Sequence, residues 1–91
     1  MEGQQITLND GTIIPNGRVG YAEGVLWCFF SGMSFARVAV LFTDPERTSR
    51  IVFQFGEMEH EYTGFVNCTN INVDVDGQFS VALKRGANDA S

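Results

Sequence analysis

Hydrophobic and polar positions fall into three kinds of pattern along this chain, and each predicts a different element. In "QQITLNDGTIIP", residues 4–15, apolar residues flank Asn9-Asp10-Gly11. An Asx-Gly pair supplies the positive φ angles of a tight turn, so the pattern predicts a first hairpin, with Pro15 ending its second strand. "RVGYAEG" follows, spaced by glycines that read as a bent or bulged passage. It leads into "VLWCFF", six successive apolar residues that predict a central strand covered on both faces.

"SGMSFARVAVLFTDPERTSR" carries the helical pattern. Ser34 is placed to cap it, Phe35, Val38, Ala39 and Phe42 recur at helical spacing, and Asp44-Pro45 interrupts it and opens a further short turn. Val38, Val40 and Phe42 also alternate as a strand would, but the segment's length and the small polar residues before Phe35 favour the helix. From residue 50 to 85 the pattern is strand-like: Ile51, Phe53 and Phe55 alternate with Val52 and Gln54, and Phe79, Val81 and Leu83 alternate with Ser80, Ala82 and Lys84. Three antiparallel strands are expected there.

These elements predict an α+β fold, a mostly antiparallel sheet of five or six strands with one helix packed on it, of which a β-grasp-like arrangement is one version. A small barrel or sandwich plugged by the helix is the alternative. Residues 1–85 are expected to form a single globular domain and residues 86–91 a flexible tail.

Composition narrows the function classes. Apolar residues are 44% of the 91, enough to drive folding of one small core, too small for a second domain or a large enzymatic cleft. The formal net charge is −5 and the cations at 18, 37, 47, 50, 84 and 85 form no run, so direct nucleic-acid binding is not expected. No apolar stretch is long enough to span a bilayer and no basic-then-apolar leader opens the chain, which predicts no membrane association and a cytoplasmic location. Cys28 and Cys68 lack metal or redox spacing and read as reduced structural thiols, Cys28 in an apolar setting that keeps it inert.

Four groups of residues are candidates for chemistry. In "NINVDVDG", Asn72, Asp74 and Asp76 fall at the first ligand positions of a calcium loop, but the position that needs a bidentate Glu is Leu83 and the flanks are strand-like. The same stretch reads more simply as a strand, with Ile71, Val73 and Val75 on one face and Asn70, Asn72, Asp74 and Asp76 on the other, closed by a two-residue Asp76-Gly77 turn. In "GEMEHEY", Glu57, Glu59 and Glu61 alternate around His60, which a continuous strand would place on the opposite face. That reads as a guarded edge strand or hairpin tip, and Glu57, Glu59, Glu61 and Tyr62 are the residues expected to meet a protein partner. Arg47, Arg50 and Tyr21 are the alternative ligand-binding set, needed only if the chain sequesters an anionic nucleotide. Tyr21, Trp27, Phe29, Phe30, Tyr62 and Phe65 could line a stacking surface, although a small domain must bury most large aromatics. No metal site, cofactor or catalytic residue is assigned, and the chain is not read as an enzyme.

The stretch "GMSFARVAVLFTDPERTSRIVFQFGEMEHEYTGF", with Asp44-Pro45-Glu46-Arg47-Thr48 after the helix, Tyr62-Thr63-Gly64-Phe65 in a strand and "DGQFSVALKRG" behind it, resembles small uncharacterised phage and prophage proteins of Gram-positive bacteria. The resemblance implies a noncatalytic protein working through protein contacts in particle assembly or as an accessory factor, in the host cytoplasm or the virion. Two other expectations stand beside it: an anti-defence inhibitor, as acidic decoy or nucleotide-sequestering protein, and a weak metal-dependent activity using Glu57, Glu59, His60, Asp74 and Asp76. A protein partner is expected, and self-association is compatible with apolar residues on both faces of the central strand.

Overall fold

The computed structural model describes residues 3–86. Eight strands occupy the described residues: β1 (Gln4–Thr7), β2 (Ile13–Pro15), β3 (Arg18–Ala22), β4 (Val25–Phe30), β5 (Arg50–Phe55), β6 (Met58–Thr63), β7 (Asn67–Val73) and β8 (Phe79–Lys84), with α1 (Phe35–Phe42) and α2 (Pro45–Thr48) between β4 and β5. They form two four-stranded sheets, β2-β1-β5-β6 and β3-β4-β8-β7, antiparallel at every pairing. The expected single sheet of five or six strands with one helix is therefore corrected to a two-sheet, mostly antiparallel β fold. The reason is one of area. An eight-residue helix is about 12 Å long and covers only one end of such a sheet, so a second sheet supplies the remaining cover. The expected β-grasp-like version falls with it, and the arrangement is nearer to the barrel-or-sandwich alternative.

The chain fills the sheets one hairpin at a time. β1 and β2 lie in the first sheet, β3 and β4 in the second, and after the helices β5 and β6 return to the first and β7 and β8 to the second. The first crossing uses Asn16, at φ 64°, and Gly17, which lies so close to Ile6 that a Cβ there would sit 2.7 Å from Ile6 Cδ1. A side chain at position 17 would therefore force Ile6 to move.

The helical reading holds. Ser34 Oγ accepts from the Arg37 backbone N–H, Asp44 Oδ1 accepts from that of Glu46, and Pro45 sits in the first turn of α2. Val38, Leu41 and Phe42 are buried, whereas Phe35 is half-exposed, so the buried face is rotated from the one expected. The core joins both sheets and α1: Ile6, Ile14 and Ile51 from one sheet, Leu26, Cys28, Phe30, Phe79, Val81 and Leu83 from the other, with Phe65 from the β6–β7 connection. Phe30 stacks between Phe42 and Phe79, at centroid distances of 5.4 and 5.5 Å, so α1 closes one end.

Three further readings change. "RVGYA" forms β3, paired along its whole length with β4. "VLWCFF" is interior to its sheet as expected, but Leu26, Cys28 and Phe30 are buried while Val25, Trp27 and Phe29 are half-buried on the other face. In "NINVDVDG" the strand ends at Val73, residues 74–78 form the loop, and Val75 is fully exposed within it. Asp74 explains this longer turn: its Oδ1 accepts from the backbone N–H groups of Asp76 and Gln78, replacing a two-residue turn by an Asx-anchored one. The tail expected over 86–91 lies outside the described residues except for Gly86, whose N–H donates to Gly64 O.

Candidate functional site

The two sheets do not close completely over each other. There Phe53 and Phe55 of β5 face the same way as Ile6 and Gln4 of β1, and Phe55 stays exposed. An open groove of about 330 Å³ results, lined by Gln4, Arg18, Val19, Gly20, Phe29, Phe53 and Phe55. Phe53 and Phe55 stack at 6.5 Å, and Phe55 is 57% exposed. On the other wall Phe29 reaches over Gly20: a Cβ on that glycine would lie 3.8 Å from the Phe29 ring. Trp27 stacks beside Phe29 at 6.3 Å and nearly parallel.

One cation belongs to this groove. The Arg18 guanidinium lies 5.4 Å from the Phe29 ring centroid, a cation–π contact, and among the described residues it meets no carboxylate. The combination of apolar floor, aromatic wall and single unpaired cation suits a ligand with an apolar body and an anionic group.

The residues expected to bind a partner or ligand fall elsewhere. β6 is an edge strand, and Glu59 and Glu61 face one way, opposite Gln54 and Val52, while His60 and Tyr62 face the other, opposite Phe53 and Ile51. Glu57 lies in the β5–β6 turn, so Glu57, Glu59, Glu61 and Tyr62 do not make one surface. Glu61 is engaged by Arg50. Arg47 is held by Asp10 at 2.7 Å and by Asp44, which raises its pKa further and ties α2 to the first hairpin. Arg47 and Arg50 thus serve local ion pairs, and Tyr21, 52% exposed, packs with Tyr62 and Phe65. The three do not converge.

Of the aromatics expected as a stacking surface, Phe30 and Phe65 are in the core, with Arg85 over the Phe65 ring. Phe29 alone lines the groove, with Trp27 beside it. Gln4, Arg18, Gly20, Phe53 and Phe55 were absent from the sequence-based candidates. The signal for the phenylalanines lay in the strand pattern itself, whose apolar alternation runs to the last residue of β5 with no polar cap.

The acidic loop and the acidic hairpin occupy different sheets, and among the described residues no three His, Cys, Asp or Glu side chains gather as a cation site would require. Asp74 is already committed to backbone donors. Burial pushes the Cys28 thiol up to about 12, which removes the nucleophilic thiolate at neutral pH, and burial also raises Cys68. Among the described residues, no helix is long and apolar enough to cross a membrane.

No family model, no curated protein and no solved structure matches this chain.

Proposed function

We propose that this chain is a noncatalytic protein-contact module, a small phage- or prophage-type protein that acts in particle assembly or as an accessory factor. The observation that carries the reading is the open aromatic groove, where Phe29, Phe53 and Phe55 stay in contact with water although the same fold buries Phe30, Phe42, Phe65 and Phe79. An apolar surface rimmed by polar groups is what partner recognition requires, and a single cation on it adds orientation.

The test is site-specific photo-cross-linking in the cell that carries the gene. A photoreactive phenylalanine analogue at position 55 should capture a defined protein, whereas the same group at position 13, which is similarly exposed on β2, should not. Equal capture, or none, from both positions would remove the groove as a contact site.

A further inference from the structure

Three of the four sheet edges are blunted. β2 has three residues and ends in Pro15, β6 carries Glu59 and Glu61 with Glu57 at its turn, and β7 is bulged between Cys68 and Asn70. Each is a recognised way of preventing a further strand from pairing. β3 has none of them. Its five residues contain no proline, no bulge and one charge, Arg18.

The turn that follows β3 fixes which of its backbone groups are free. Glu23 and Gly24 have φ of 55° and 82°, the signature of a two-residue type I′ turn, so Ala22 and Val25 form the closing hydrogen-bonded pair. Alternation then makes Gly20–Trp27 and Arg18–Phe29 bonded pairs and turns the N–H and C=O of Val19 and Tyr21 away from β4. Among the described residues no other strand pairs with β3, and Val19, one of the two residues with outward groups, lines the groove. A chain added at the usual spacing of about 4.8 Å would enter the groove that Phe53 and Phe55 also line.

We infer that β3 is the docking edge for an extended, acidic segment of a partner protein, added as a fifth strand to the second sheet. Its outward amides would pair with Val19 and Tyr21. Alternate apolar side chains would rest on Phe53 and Phe55, and a carboxylate on the opposite face would meet Arg18 beside Phe29. Charge selects the partner: the groove's one ionised side chain is a cation without a carboxylate among the described residues, on a chain whose net charge is −5. Main-chain pairing supplies affinity and the alternate side chains supply selectivity. The inference rests on the protein-contact reading and adds the geometry and chemistry of the partner.

The experiment is selection of a random seven-residue peptide library against the full chain, followed by anisotropy titration of the enriched peptides. The expected winners alternate apolar residues and carry Asp or Glu at one fixed position on the other face. Methylating single peptide amides should weaken binding about tenfold at every second position and little between, as loss of buried hydrogen bonds requires. Arg18→Glu should weaken the acidic peptides by about tenfold and, in a repeated selection, replace Asp or Glu by Lys or Arg. Val19→Pro, which removes an outward N–H that β4 does not use, should abolish binding while leaving the fold intact by circular dichroism. No enrichment, winners without a two-residue period, or binding indifferent to Arg18→Glu would overturn strand addition. Self-association abolished by Val19→Pro would also overturn it, by giving the edge to a second copy. Capture from position 55 alongside any of these failures would keep the contact reading and discard only the strand.

Discussion

Phe42 of α1 and Phe55 of β5 belong to one small domain and are treated in opposite ways. Phe42 is wholly buried, stacked on Phe30, which in turn stacks on Phe79; Phe55 stacks only on Phe53 and keeps 57% of its surface. The two differ in what lies above them. At the closed end α1 and α2 fold over the sheets, with Arg47 clasping the first hairpin through Asp10. At the groove, lined by β3 and β5, sheet cover is incomplete. Hydrophobicity alone therefore does not mark the core of this domain, because aromatic rings serve as structure beneath α1 and as surface in the groove.

The largest expected effect follows from the closed end. Phe42→Ala removes a ring that α1 contributes to a dry stack, and the loss should be about 3–5 kcal/mol, read as a lower midpoint in urea denaturation. Loss below about 1 kcal/mol would mean that the helix end collapses onto the gap and is not a rigid lid. The second effect runs the other way. Thr48 of α2 is wholly buried and its hydroxyl has no hydrogen-bond partner among the described residues. Thr48→Val keeps the shape and removes the unpaired polar atom, so stability should rise by up to about 1 kcal/mol. A clear fall in the same denaturation measurement would show that the hydroxyl is satisfied in solution.

Local features of the fold were legible because they rest on local chemistry. The Ser34 and Asp44 caps, the turn at Asn9-Asp10-Gly11 and the facing of His60 away from Glu59 and Glu61 depend on neighbours in sequence. The division into two sheets was not, because nothing between Pro15 and Arg18 or between Thr63 and Asn67 differs in composition from a turn within one sheet; only packing, such as Gly17 against Ile6, decides it. β3 was obscured by Gly20, which lowers strand propensity yet lets Phe29 lie across the strand. The groove was hidden for the same reason. Phe53 and Phe55 have the alternation of core residues, and their exposure is set by the incomplete cover at the groove.

At the groove, Phe55→Ser should alter stability by no more than about 0.5 kcal/mol, since the ring is more exposed than buried. The same substitution should remove the cross-linking partner captured from neighbouring positions of the groove. Comparing it with Phe42→Ala separates surface from structure: large destabilisation by both would erase the distinction between the two regions.

The smallest effect tests the clasp at the closed end through pH. The Asp10 carboxyl is held down at about 2, against its usual 3.8, first by the Thr12 backbone N–H and then by the Arg47 guanidinium. A carboxyl whose pKa is lower in the folded than in the unfolded chain favours folding above the unfolded value and loses that contribution as pH falls toward the folded one. The wild type should therefore exceed Asp10→Asn in urea midpoint by a constant small margin above about pH 4, and the margin should vanish by about pH 2. Both partners are solvent-exposed, so added salt should shrink the margin as well. The Asn9 N–H, which donates to Arg47 O, keeps the hairpin on α2 when Asp10 is protonated, so amide exchange should quicken at Thr12 while Asn9 stays protected. If both amides quicken together, the ion pair and not the backbone holds that end closed, and the contrast between the lidded end and the open groove becomes dependent on pH.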